Sequence, residues 1–386
     1  MALIYTAVAL CALGAEKAVS NELKKLGFSI EEGGFGRIRF KADLDGLYRA
    51  LIGLRAADRI LLELASYEAE DFDALFEGIH KQPLEEYIPS RMGLRVAKVR
   101  SNRSTLGAET SIQAVVHKAV AQRLCLKRGI KRLPEDRDGA ELRVYIEKNR
   151  VSVLLDLSGE PLFKRGYRSA GGVAPLREST AAAIILLSGW KRKFPLCDPF
   201  CGSGTIAIEA AMYAWDLAPG LARRFAMEKL LLANKKTEQK VREEFLAKVD
   251  FTRRIRIIAS DSDATVVALA RSNMNRVVAG FKAIGLQALP SFNVFAMDQA
   301  SPLEDFHSDE GFIITNPPYG RRLGDTQAAE KTYTEMGSLA QKFPGWKLAL
   351  ITDHPGFESF FGRKADSCRE ISNGAIQSYL FTYNLL

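Results

Sequence analysis

Residues 4–10 (IYTAVAL) form a short, mostly apolar run of the kind that fills a buried strand. Residues 15–26 then place Ala18, Val19, Leu23 and Leu26 on one helical face before Gly27 ends the turn. A short alternating strand at 37–40, a helical repeat at 44–54 and a further strand at 59–64 follow. Strand, helix, strand, helix, strand in this order predicts a ferredoxin-like α+β domain over residues 1–65.

The next stretch, 66–160, reads as a second α+β unit. It has a helix at 71–78, an alternating strand at 94–100 and a long helix at 110–128, then strands at 142–147 and 151–157 joined around Lys148, Asn149 and Arg150. From about Arg168 the texture changes. Apolar strands at 194–198, 256–261, 292–298, 311–315 and 347–352 end in polar residues and alternate with helical patterns. That alternation predicts an α/β domain with a doubly wound, mostly parallel, Rossmann-like sheet over 161–386, with ligands at the carboxyl ends of its strands. The charged segment 216–254 is expected to be a helical surface insertion.

Composition changes this picture little, whereas charge distribution changes it more. The chain has 386 residues, 47% hydrophobic, enough for sizeable cores and against disorder. Its 54 Lys+Arg against 46 Asp+Glu leave only +8 overall. Between Arg91 and Arg132, however, stand 11 basic residues and one acid, Glu109. Such a concentration predicts a phosphate-backbone binder, with Arg100, Arg103, Lys118, Lys127, Arg128, Lys131 and Arg132 as contacts and Ser101, Asn102, Ser104 and Thr105 as supporting donors. The plainer alternative is a solvated helix face.

Five cysteines, at 11, 125, 197, 201 and 368, give neither a disulfide framework nor a paired metal motif. A reducing, cytoplasmic compartment is expected, and Cys197 and Cys201 are expected to pack rather than bind metal. The first 13 residues lack a basic start and read as a strand instead of a signal peptide. With no apolar run of membrane-spanning length, no membrane partner is expected. A monomer or weak homodimer is anticipated.

The sharpest motif is Asp198-Pro199-Phe200-Cys201-Gly202-Ser203-Gly204-Thr205 ahead of a helix. The glycines let backbone approach a ligand at a helix N-terminus, so Phe200, Gly202, Gly204 and Thr205 are assigned to a cofactor loop. Gly202, Gly204 and Ala207 also satisfy the dinucleotide pattern, which keeps an NAD oxidoreductase in view. Asp198 argues against it, because an acid there opposes a pyrophosphate and suits the ammonium and sulfonium of S-adenosylmethionine. At the next strand end, Asp261 can accept from a ribose diol, while Asp263 is equally well an N-cap. Asp298 ends the third strand and is assigned to the adenine amine, a turn residue being the alternative.

The fourth strand runs into Asn316, Pro317, Pro318 and Tyr319. Two prolines stiffen this loop and remove two N–H groups, leaving its carbonyls as acceptors. Asn316 Oδ1 and the Pro317 carbonyl could take the hydrogens of an exocyclic amine and aim its lone pair at a methyl group, with Tyr319 stacking on the base.

DPFCGSGTIAIEAA, ASDSDATVVALARSNMNRVVAG, IITNPPYGRRLG and FKRGYRSAGGVAPLREST together resemble the THUMP-domain class I RNA methyltransferases. More narrowly, they are similar to the bacterial group acting on guanine N2 of 23S ribosomal RNA. The resemblance spans the whole chain and implies a THUMP module over 66–160 and a methyltransferase domain over 161–386. It places Asp198, Gly202 and Gly204 at the methionine part of the cofactor, Asp261 at the ribose, Asp298 at the adenine and Asn316 to Tyr319 at the target base. It also implies that Lys164–Arg168 and Arg177–Thr180 line an entrance. Met227 departs from the Phe that such relatives carry.

Three rivals remain at this stage: an adenine-N6 DNA methyltransferase, a non-catalytic ribosomal RNA-binding assembly factor and the NAD enzyme. Residues 1–165 are expected to dock RNA as a separable unit whose removal spares cofactor affinity.

Overall fold

The computed structural model describes residues 3–134, 139–168, 176–286, 293–296, 308–319 and 325–385. Two seven-stranded sheets organise them. The first is built from β1 (Tyr5–Cys11), β2 (Ser29–Gly34), β3 (Arg37–Ala42), β4 (Ala57–Glu68), β5 (Leu94–Asn102), β6 (Ala140–Glu147) and β7 (Arg150–Asp156). With α1 (Glu16–Lys25) and α2 (Leu44–Gly53), the antiparallel order β2-β3-β1-β4 is the ferredoxin-like arrangement expected. Strand β2 escaped the periodicity reading because SIEEGG is polar and lies at the sheet edge.

Strand β4 is longer than its apolar run predicted. Its first half pairs with β1, while Leu61–Glu68 pairs with β7, so the strand crosses the 65/66 position and joins both units in one sheet. Beyond it, β5 and β6 run parallel, linked by the crossover helix α4 (Glu109–Arg128), which packs on α3 (Phe72–His80).

The second sheet has the order β10-β9-β8-β11-β12-β14-β13. Its strands are β8 (Leu196–Asp198), β9 (Ile257–Asp261), β10 (Asn293–Ala296), β11 (Phe312–Thr315), β12 (Lys347–Thr352), β13 (Ser367–Asn373) and β14 (Ile376–Asn384). The first five in that order are parallel, and β14 inserts antiparallel between β12 and β13. Helices α5 (Glu178–Leu187), α6 (Thr205–Ala214), α7 (Lys235–Leu246), α8 (Ala264–Lys282), α9 (Asp325–Met336), α10 (Leu339–Lys342) and α11 (Phe357–Phe361) complete the domain. Strand order reverses between β8 and β11, which makes their carboxyl ends the expected ligand crevice.

Two expectations change here. The charged segment after α6 is helical in α7, but it is not a surface appendage. Leu217, Ala218, Leu221, Phe225, Met227 and Leu230 are buried in a core shared with Leu47, Leu51 and Ile52 of α2. A Cβ added to Gly220 would lie 2.6 Å from Ile52 Cα, so backbone meets backbone across this seam. Arg49 and Lys240 tie it with ion pairs to Glu244 and Asp45.

Nor does residues 1–165 form a detachable unit. Arg55 is buried and donates to the Leu217 carbonyl at 2.9 Å, and Arg165, also buried, faces Glu209 of α6 at 3.4 Å. Cutting the chain there would strand buried charges and open a continuous apolar core.

Candidate active site

The cofactor loop forms where β8 stops. Gly202 and Gly204 adopt φ values of 50° and 80°, left-handed backbone that favours glycine, and Gly204 is the residue from which α6 starts. A Cβ on Gly204 would stand 3.0 Å from Ala270 Cβ on α8. Asn273, one turn further along α8 and buried, donates to the Ser203 carbonyl at 3.0 Å and fixes the loop from behind. Phe200 is partly buried against the core that holds Cys197 and Ile313.

Asp198 closes β8 and is 1% exposed. Its Oδ1 accepts from Thr315 Oγ1 at 2.6 Å and from the Phe200 amide at 3.4 Å. Desolvation, with the Asp261 charge adding to it, nonetheless pushes this carboxyl up to about 7. A buried acid without a cation beside it among the described residues fits a ligand that brings its own positive charge.

Asp261, at the end of β9, accepts from the Gly202 amide at 3.0 Å through Oδ2 and from the Asp263 amide at 3.1 Å through Oδ1. Each oxygen keeps a second lone pair, enough for a diol. Asp263 is the N-cap of α8, accepting from Thr265 N at 2.7 Å. Asp298 lies outside the described residues.

The Asn316–Tyr319 loop leaves β11 directly after Thr315, so the Thr315–Asp198 hydrogen bond joins it to the cofactor loop. Pro317 is buried, Asn316 and Tyr319 are half-buried, and the Tyr319 hydroxyl donates to Asn316 Oδ1. On the far side, Tyr333 of α9 donates to the Pro318 carbonyl at 2.7 Å. Periodicity marks Tyr333 and Thr315 only as core positions, and no local motif marks Asn273 as a brace.

The arginine-rich segments are engaged inside the protein, within the second domain at Glu209 and across to the first sheet at Asp58. Arg165 and the Tyr167 hydroxyl both reach Glu209, and Arg177 and Ser179 both engage Asp58. Arg165 is therefore enclosed and lines no entrance. Arg168 does reach the cofactor loop, donating to Thr205 Oγ1 and the Leu176 carbonyl while Glu178 lies 3.5 Å away. Cys197 and Cys201 are buried, with both thiols raised by desolvation. Among the described residues no three His, Cys, Asp or Glu side chains gather as metal ligands.

The basic candidates divide. Lys127, Lys131 and Arg132 are exposed near the end of α4, and Arg103 is exposed after β5. Lys118 is exposed with its ammonium 5.7 Å from the Phe76 ring centre. Arg100 pairs with Glu109. Arg128 turns inward and donates to the carbonyls of Ile88, Pro89 and Met92 at 3.2, 3.1 and 3.0 Å, which is a folding role.

A parallel sheet whose order reverses beside a glycine loop, with acids ending β8 and β9 and an Asn-Pro-Pro-Tyr loop after β11, defines a class I, S-adenosylmethionine-dependent methyltransferase. Comparison with known proteins agrees. The model of the RMKL-like methyltransferase domain matches residues 165–381, and that of the RlmL ferredoxin-like domain matches residues 6–61. The chain belongs to the RMKL-like methyltransferase family.

It is 35% identical to "Putative RNA methyltransferase YpsC" of Bacillus subtilis (strain 168), covering 98% of this chain and 96% of that protein. It is 31% identical to "Ribosomal RNA large subunit methyltransferase K/L" of Cellvibrio japonicus (strain Ueda107), covering 99% of this chain but 51% of that one. The chain thus spans about half the length of the K/L relatives. A "possible methylase" from Clostridium difficile 630 superposes with a TM-score of 0.89 at 36% identity over 99% of this chain and 98% of that one. The crystal structure of SMU.472 complexed with SAH gives 0.86 at 34% identity over 100% and 99%.

Proposed function

We propose that the protein is an RNA methyltransferase that moves a methyl group from S-adenosylmethionine to the exocyclic N2 amine of a guanine in 23S ribosomal RNA. One observation carries the reading: Thr315 hydrogen-bonds Asp198, so the amine-accepting loop and the cation-binding acid form one connected unit. S-adenosylmethionine, when bound, supplies an electrophilic methyl group on a sulfonium. Asp198, the Gly202–Gly204 backbone and Asp261 would hold it, and Asp298 is retained as the adenine contact. Asn316 Oδ1 and the Pro317 carbonyl take the amine hydrogens and orient the nitrogen lone pair, and catalysis is mostly positioning. The amine nitrogen is itself the nucleophile and its proton passes to solvent after transfer, so no side chain needs to attack the methyl group or to take the proton beforehand.

RNA is favoured by the exposed basic residues around α4 and by the names of YpsC and the K/L relatives. Residues 66–160 are proposed as the THUMP module that grips it. The test is mass mapping of nucleosides from ribosomal RNA of cells lacking the protein, followed by methylation of that RNA with purified enzyme. Loss and restoration of N2-methylguanosine is the expected result. Unchanged RNA with loss of N6-methyladenine from DNA would transfer the activity to the rival substrate.

A further inference from the structure

The Asn316–Tyr319 loop is fastened at both ends. In front, Thr315 is hydrogen-bonded to Asp198. Behind, Tyr333 Oη lies 2.7 Å from the Pro318 carbonyl and 3.1 Å from Thr352 Oγ1 at the end of β12. The direction of each hydrogen in this chain is forced. The His354 amide, 3.1 Å from Thr352 Oγ1, can only donate, and the Pro318 carbonyl can only accept. Tyr333 therefore gives its single hydrogen to Pro318, and Thr352 gives its own to Tyr333. Every bond in the series points toward the loop, an arrangement in which each donor strengthens the next.

The ring that presents this hydroxyl has no room to move. Tyr333 is 0% exposed, with Phe357 edge-on at 5.0 Å and His354 edge-on at 5.6 Å. Pro317 and Pro318 lack N–H groups, so carbonyls are the handles left for anchoring that part of the loop.

We propose that Tyr333, backed by Thr352, is a positioning residue: it sets the peptide after Pro318 and so aims the Asn316 and Pro317 acceptors at the target amine. The proposal deepens the functional reading above and rests on the loop holding that amine. Misdirection of acceptors by a fraction of a bond length lowers turnover with little effect on donor binding, because Asp198 and the glycine loop meet this loop at Thr315, at the opposite end from the Pro318 carbonyl that Tyr333 holds.

The experiment is Tyr333→Phe, which keeps the ring and removes only the hydroxyl, with Thr352→Val as the second variant and Thr352→Ser as the conservative control. In Tyr333→Phe, kcat should fall about tenfold to a hundredfold, while KM for S-adenosylmethionine should stay within about twofold. Thr352→Val should fall less, Thr352→Ser should recover, and the double variant should be no slower than Tyr333→Phe alone, because the two act in series. Amide hydrogen exchange at Asn316 and Tyr319 should quicken in Tyr333→Phe while β11 and β12 keep their protection. A Tyr333→Phe enzyme with parental kcat overturns the proposal. If the parent methylates no nucleic acid, the functional reading falls instead, and exchange at Asn316 and Tyr319 decides whether Tyr333 orders the loop.

Discussion

Replacing Asp198 with Asn exchanges a buried carboxylate for an amide of the same shape, and should stabilise the ligand-free chain while destroying its attraction for a cation. The carboxyl is 1% exposed, and burial raises its pKa from the usual 3.8 to about 7 despite the Thr315 and Phe200 hydrogen bonds. Between those values the folded chain keeps a proton that the unfolded chain has released, so this residue makes stability fall as pH rises through that window. At about 1.4 kcal/mol per unit, the ionised group costs up to roughly 4 kcal/mol near pH 8. Asn keeps an acceptor for Thr315 but adds an N–H2 group that needs partners, which takes back about 1–2 kcal/mol. A net gain of about 2–3 kcal/mol near pH 8 is expected, turning into a loss of about 1 kcal/mol near pH 4, where the folded carboxyl is protonated and mainly the amide's own cost remains.

Urea unfolding of parent and variant at both pH values measures it, since the titration of groups remote from Asp198 cancels in the difference. Calorimetric titration with S-adenosylmethionine supplies the second half. Below about pH 7 binding to the parent must expel the Asp198 proton, so affinity should rise about tenfold per pH unit up to that point and then level. The Asn variant should bind weakly and without that step. A stability difference that stays constant between pH 4 and 8, or an Asn variant that binds as tightly as the parent, would refute the assignment of a cationic ligand to Asp198.

Three further outcomes follow from the packing. Gly204→Ala forces a side chain into left-handed backbone at φ 80° and against Ala270 at 3.0 Å, and should cost about 1–3 kcal/mol and at least a tenfold loss of donor affinity by calorimetry. In Gly220→Ala the new Cβ meets Ile52 backbone at 2.6 Å, so the thermal midpoint should drop while unfolding remains one transition; two separate transitions would contradict a shared core. Arg128→Ala should lower stability and leave the salt dependence of RNA binding intact, whereas a Lys127→Ala, Lys131→Ala double variant should do the reverse, reducing the slope of log affinity against log salt by about two.

Much of the fold was legible because it rests on local patterns. The runs around β8, β9, β11 and β12 are short, apolar and end in polar residues, and each became a strand. Polar, edge-lying β2 carries no such signal, and β13, although it holds Ile371 in the core, reads as mixed. The far half of β4 was hidden because LASYE is half-buried and takes its strand character from β7, a partner some ninety residues away in the chain. Whether two units share a sheet is decided by such a pairing, and composition holds no trace of it.

The chemical groups of the site were legible for a related reason. Asp198, Gly202, Gly204, Asp261 and Asn316 each stand at a strand end or in the turn that follows, so a one-dimensional pattern of strand followed by acid, glycine or proline locates them. What holds them in place comes from elsewhere in the fold: Thr315 on Asp198, Asn273 on Ser203, Tyr333 on Pro318. The arginines show the converse. Arg55, Arg165 and Arg128 look in sequence like Lys127 or Arg103, yet the first two are buried and Arg128 is engaged with three carbonyls. Charge type alone cannot separate an arginine that bonds carbonyls inside the protein from one that faces solvent, because both use the same donors. Burial separates them: Arg55 and Arg165 belong to the joint with α6, the helix that begins at the cofactor loop, and Arg128, the one of the three read as a nucleic-acid contact, belongs to the packing of its own unit.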